Sequence, residues 1–134
     1  MLNLKVIARA RWRLYAICTA RGDCPLEDFL ADRSQLGKDK DRMVRRLEAI
    51  AQHGPRYLPD ISHQIEDEIW QTAQGQIRIL WFYDQDRIIV CSHGFIKGTK
   101  KTPEAEKALA RQALRAYRAA AASLGIMVIE EEDP

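Results

Sequence analysis

A chain of 134 residues, 46% hydrophobic and 30% charged with a net charge of +2, describes one ordinary globular domain spanning 1–134. No apolar run approaches the roughly 20 residues of a membrane span, which excludes a spanning helix and predicts no membrane partner. Cys18, Cys24 and Cys91 are odd in number and form no C-x-x-C pair, as expected of reduced thiols in a cytoplasmic protein. Each reads as a small core residue sooner than as a nucleophile.

The N-terminal stretch MLNLKVIARARWR alternates apolar and basic residues and lacks the continuous apolar core of a signal peptide. Residues 12–20, WRLYAICTA, read as a first strand, and Arg21-Gly22-Asp23 turns the chain. Pro25 opens a short helix to about Ser34, with Leu26, Phe29 and Leu30 on one face and Glu27 and Asp28 in its first turn. Gly37 separates it from a helix over Lys38 to His53, where Met43, Leu47 and Ile50, joined by Val44 and Ala51, form an apolar stripe. Gly54-Pro55 ends that helix, and the two make a helical hairpin.

Three strands follow. IEDEIWQT, 65–72, has the mixed pattern of a half-wet outer strand, and QIRILWFY, 76–83, is apolar except for Arg78, as in a central strand covered on both faces. Asp84-Gln85-Asp86 turns the chain into RIIVCSH, 87–93, which pairs back. The last helix spans about 103–123, with Ala110, Leu114, Tyr117 and Ala121 on one side and Lys107, Arg111, Arg115 and Arg118 on a neighbouring stripe. IMVI, 126–129, is placed to add an edge strand before the acidic tail, 130–134. The order predicts an α+β domain: a small antiparallel sheet, an N-terminal helical hairpin packed on one face, and a C-terminal helix. The other sheet face is expected to be partly open and available to a polymer.

Charge is segregated. Residues 1–22 hold five Lys/Arg and no acid, residues 23–75 hold seven bases and eleven acids, and residues 76–118 hold nine bases and four acids. If the basic segments meet in space they form the electrostatic footprint of a polyanion binder. The stretch FIKGTKKTPE, 95–104, concentrates Lys97, Lys100 and Lys101 around Gly98. Thr102-Pro103 then reads as an N-cap and a first helical proline, with Glu104 and Glu106 complementing the helix dipole. A solvated connector is the plainer reading of such a loop; with a helix N-terminus behind it, an anion site is the other.

The segment IRILWFYDQDRIIVCSHGFIKGTKKTPEAEKALARQAL, 77–114, resembles the phage-derived branch of the RelE/HigB-like toxins of type II toxin–antitoxin systems. The carriers of the likeness are a strand arginine, an apolar strand ending in His-Gly-Phe, a lysine, and Lys-Thr-Pro leading into a helix. GDCPLEDFL, 22–30, and AIAQHGP, 49–55, are also similar to family members, so the likeness covers roughly 12–118. The sequence departs from the pattern twice. The second lysine of the usual pair is Gly98, and Trp70 is followed by Gln71-Thr72 where members read Glu-Leu-Arg.

The resemblance implies a metal-free, cofactor-free endoribonuclease that cuts messenger RNA in the ribosomal A site and is held inactive by a helix-turn-helix antitoxin. It places Arg78 as the strand arginine and Lys97 as the first lysine of the pair. Such cleavage needs a base for the ribose 2′-hydroxyl, cations for the phosphorane charge and an acid for the leaving oxygen. Arg78 offers a fixed fork of donors and is either functional or paired with Glu66 or Glu68. Lys97 stabilises charge or, beside other cations, moves a proton. His93 is the best-placed histidine for acid–base work, although a strand-end histidine bonded to backbone is the plainer reading. No two histidines have metal-ligand spacing.

Lys100, Lys101, Arg111, Arg115 and Arg118 would position phosphates without reading sequence. Trp70, Trp81, Phe82 and Tyr83 would stack bases if exposed, with at least two expected in the core. Tyr117 reads as core. A prophage-encoded RNA- or protein-binding module that has lost cleavage, and an assembly protein docking an acidic partner, are the rival readings.

Overall fold

The structure, a computed structural model, describes residues 1–57, 59–98 and 102–129. Leu2, Leu4 and Val6 alternate with polar or basic neighbours and build β1 (Leu2–Arg9), a strand not expected from the sequence. It pairs antiparallel with β2 (Arg13–Ile17). α1 (Pro25–Ala31) starts at its proline and buries Leu26. α2 (Gly37–His53) buries Met43, Leu47, Ile50 and Ala51, as its apolar stripe requires. Lys40 is buried too: its ammonium donates to the Asp32 carbonyl at 2.9 Å and lies 4.6 Å over the Phe29 ring.

The stretch read as one strand, IEDEIWQT, is a hairpin. β3 (Ser62–Glu66) and β4 (Ile69–Gln74) meet across a turn at Asp67-Glu68, with Glu66 opposite Ile69. Glu68 holds φ at +65° there, a left-handed conformation in a residue that gives no turn signal. β5 (Ile77–Asp84) and β6 (Ile88–Ile96) follow, then α3 (Glu104–Ala122) and β7 (Ile126–Ile129).

The small antiparallel sheet expected from the sequence is overturned. One seven-stranded sheet runs β3-β4-β5-β6-β2-β1-β7 and is mixed, because β2 lies parallel to β6 and β7 parallel to β1. The helix pair is not N-terminal, since two strands precede it, and α1 packs chiefly on β6 rather than forming a hairpin with α2. Nor is a sheet face left open. α1 and α2 cover one face over Leu14, Ile77, Ile79, Trp81 and Cys91, and α3 covers the other over Leu4, Leu80, Phe82, Val90 and Phe95. The cause lies in β5, which is apolar on both sides and needs a layer over each. A fully buried side chain of this kind contributes about 1.5–3 kcal/mol.

The glycine of His-Gly-Phe is explained by this packing. A Cβ on Gly94 would stand 2.7 Å from the Phe29 ring and 3.2 Å from Leu26, so only glycine lets α1 approach β6 this closely. Among the described residues no helix is long and apolar enough to cross a membrane.

Candidate active site

The site begins with an irregularity in β6. Leu80 faces His93 but Trp81 faces Cys91, so Ser92 is an extra residue, a β-bulge. Neighbours on a regular strand point to opposite faces; the bulge lets the Ser92 and His93 side chains meet, with Oγ 2.8 Å from Nδ1. The other ring nitrogen, Nε2, lies 2.6 Å from Glu106 Oε2 in the first turn of α3. An ionised carboxylate only accepts, so in the neutral ring Nε2 carries the hydrogen and Nδ1 keeps a lone pair for the Ser92 hydroxyl. His93 is thus bonded to side chains, not backbone.

Arg78 lies opposite Phe95 on the same sheet face. Its Nη1 donates to the Gly75 carbonyl at 2.6 Å and the Ile77 carbonyl at 2.9 Å, while its Nε is buried without a partner. Among the described residues no carboxylate pairs with it: Glu66 bonds Arg111 and Glu68 bonds Arg118. Burial holds the guanidinium below its usual range. Lys97 extends the β6 alternation one residue past the strand, its N–H donating to the Gln76 carbonyl at 2.7 Å. Its ammonium is lowered from the ordinary lysine value, first by burial and then by the charge of Arg78. Lys97 feels the charge of Arg78, and among the described residues neither cation has a carboxylate partner.

The N-terminus of α3 is anchored beside them. Thr102 does not cap the helix: Pro103 is the cap residue, and the Thr102 hydroxyl donates to Gln71 Oε1 at 2.7 Å. Gln71 is only 3% exposed, so this departure from the family pattern has a structural task. Counting on from Trp70, the missing arginine position falls at Ala73, cross-strand from Arg78. Around Gly98 there is open space for a side chain; no close approach requires glycine there.

The basic stripe of α3 divides. Arg111 forks onto Glu66 at 2.9 and 2.8 Å and also reaches Glu104; Arg118 forks onto Glu68 at 2.8 and 2.6 Å. These bonds lower the Glu104 and Glu68 carboxyls and tie α3 to the β3–β4 hairpin. Arg115 is exposed and has no ion-pair partner among the described residues. Lys100, Lys101 and the tail 130–134 lie outside the described residues.

Of the sequence candidates, then, Arg78, His93 and Lys97 share one face at one end of the sheet, and Arg111 and Arg118 belong to a separate ion-pair set. Sequence reasoning missed Ser92, Glu106 and the anchoring task of Gln71. Glu106 showed only as a dipole-complementing acid in a first helical turn, and nothing in the sequence marks the bulge that turns Ser92. The cysteines are core residues, with the Cys18 thiol raised to about 11 and the Cys91 thiol to about 12, in both mainly by burial. Trp81 and Phe82 are buried, whereas Trp70 and Tyr83 are half-buried. Tyr117 is buried and its hydroxyl bonds Asp84. Among the described residues no group of three His, Cys, Asp or Glu side chains is placed to hold a metal ion.

Fold and site together define a small mixed-sheet domain that presents unpaired cations and a bonded histidine beside a helix N-terminus. The family model described as phage derived protein Gp49-like (DUF891) matches residues 33–115, and the chain belongs to that family. This phage-derived family is a toxin-type family of toxin–antitoxin systems, associated with toxin nucleases. The matched stretch contains Arg78, His93, Lys97 and Glu106. No curated protein matches the chain.

Proposed function

We propose that the protein is a RelE/HigB-like toxin that cleaves messenger RNA on the ribosome and is neutralised by a small helix-turn-helix antitoxin. The observation that carries this reading is the proximity of Arg78 and Lys97, cations without a carboxylate partner among the described residues, on the sheet face that holds His93, with Glu106 of α3 above it. Pairs of cations that face one another without an acid are costly unless an anion joins them.

In this reading the ribose 2′-oxygen attacks the adjacent phosphorus, the bond to the 5′-oxygen breaks, and a 2′,3′-cyclic phosphate forms. His93 Nδ1 receives the 2′-hydroxyl proton once the Ser92 hydroxyl turns aside, while Glu106 holds the Nε2–H and offsets the imidazolium charge. Arg78 and Lys97 stabilise the phosphorane oxygens, and the lowered ammonium of Lys97 supplies a proton to the leaving 5′-oxygen. No step calls on a metal or cofactor.

The test is single-turnover cleavage of messenger RNA at saturating ribosomes, with growth arrest on expression alongside. Arg78→Ala and Lys97→Ala each lower the rate by about 10²–10³; parental rates in both would place the chemistry elsewhere. Gly98 and Ala73, standing where the family carries cations, favour a second reading in which cleavage is lost and RNA binding remains. A parent protein that binds RNA but cuts none, with ribosomes present, selects that reading.

A further inference from the structure

At the far end of β5 from Arg78, and on the opposite sheet face, the C-terminus of α2 opens into a cleft of about 420 Å³ lined by Trp12, His53, Gly54, Pro55, Arg56 and Tyr83. Tyr83 is five residues from Arg78 along the strand, about 17 Å at roughly 3.4 Å per residue. The lining is aromatic and rich in donors. The Trp12 and Tyr83 rings lie 5.9 Å apart, Trp70 backs Tyr83 edge-on at 5.6 Å, and His53 stacks on Tyr57 at 4.2 Å. Arg56 is exposed, and its charge is felt at the Tyr83 hydroxyl.

Among the described residues the Trp12 indole N–H, the Tyr83 hydroxyl and the Arg56 guanidinium have no hydrogen-bond or ion-pair partner, and no carboxylate lines the cleft. An acidic neighbour would be expected beside Arg56 if its task were structural. The negative end of the α2 dipole opposes an anion here. That opposition is reduced, because the Ile50, Ala51 and Gly54 carbonyls are already bonded by the N–H groups of Gly54, Trp12 and Tyr57. Aromatic walls, unpaired donors and an exposed cation together suit a flat aromatic group carrying a nearby negative charge.

We infer that the Trp12–Tyr83–Arg56 cleft binds a nucleotide of single-stranded RNA, its base against Trp12 and Tyr83 and its phosphate on Arg56. This rests on the RNA reading above in taking the ligand from RNA, but it concerns a second site remote from the reacting phosphate. Stacking on aromatic side chains is sequence-tolerant, so the cleft adds affinity without codon choice.

The test titrates the full chain with adenosine 5′-monophosphate, following the Trp12 indole N–H and Tyr83 ring resonances by NMR. Both are expected to shift, with affinity falling about tenfold or more in Trp12→Leu. In Arg56→Ala affinity for the nucleotide falls while that for adenosine is unchanged. Because Trp12 is half-buried, the exposed Arg56 variant keeps the test valid should Trp12→Leu fail to fold. Unmoved resonances, or equal nucleotide affinity in Arg56→Ala, would overturn the proposal. So would protection of Trp12 by a bound antitoxin with no response to nucleotide, which would assign the cleft to protein docking. Neither readout depends on cleavage, so failure here leaves the Arg78–Lys97 chemistry standing, and loss of that chemistry leaves the cleft standing.

Discussion

Two sets of cations, 14 residues apart where they come nearest in sequence (Lys97 and Arg111), have opposite surroundings. Arg111 and Arg118 on α3 each take a forked carboxylate, and both carboxylates belong to the β3–β4 hairpin. Among the described residues Arg78 and Lys97 have none, and they repel each other. A charge satisfied within the fold contributes little to an external anion, because binding must first break an existing pair. A charge left unpaired at the edge of the core is a cost in the free protein that a bound anion, an RNA phosphate in the proposed reading, would remove. Arg111 and Arg118 are therefore a clasp, and in the proposed reading the end of β5 and β6 is the place for the reacting phosphate.

The largest effect that separates the two sets is chemical. His93→Gln lowers single-turnover cleavage by about 10²–10⁴. Glu106→Gln, which keeps a hydrogen-bond partner but removes its charge, lowers it less and leaves RNA affinity unchanged. Equal rates in parent and His93→Gln would remove the histidine from the mechanism. The next effect is in binding. Arg115→Ala reduces the slope of log affinity against log salt by about 0.7, one single-strand phosphate contact, while Arg118→Ala leaves the slope unchanged and lowers the urea midpoint. The reverse pattern would break the distinction between clasp and phosphate site.

Adding a cation sharpens the same contrast. Gly98→Lys fills open space beside Lys97, so it should steepen the RNA salt dependence by about the same 0.7 without changing the melting temperature. The smallest effect is the acid sensitivity of the clasp. The Glu68 and Glu104 carboxyls sit below their ordinary 4.5 because of Arg118 and Arg111 respectively. A carboxyl lowered in the folded state stabilises it above the unfolded value, and that contribution is lost as pH falls through the lowered value. Stability followed by urea titration should drop slightly below about pH 4.5, and the drop should shrink in Glu68→Gln.

How much of this was legible from the sequence varied with the kind of signal. α2 was readable because Met43, Leu47 and Ile50 repeat at helical period, and β5 because QIRILWFY is apolar on both faces. The β3–β4 turn was hidden because its left-handed residue is Glu68, not Gly or Asn. The width of the sheet was hidden because its parallel pairings, β2 with β6 and β1 with β7, join segments remote in sequence. Arg78, His93 and Lys97 could be picked out as candidates by residue type, and the structure places them on one sheet face. Glu106 and Ser92 could not, since their roles depend on a helix docking and a one-residue bulge. The ion pairs of Arg111 and Arg118 were hidden because the acids opposing them, Glu66 and Glu68, sit far away in the chain.

The parallel pairings also bear on how the chain is made. Arg13 faces Ile88 and Leu2 faces Ile126, so β1 and β2 leave the ribosome long before their parallel neighbours, β7 and β6, exist. Contacts this distant in sequence close late, and until then the emerging hairpin presents bare strand edges. β3 to β6 can pair as they appear, each with the strand just before it. The Glu106 that holds His93 arrives only with α3, and the edge of β1 is covered only when Ile126–Ile129 follows. A nascent chain therefore acquires the His93–Glu106 pair only near the end of translation, which, in the proposed reading, leaves the ribosome making it little exposed to its own product.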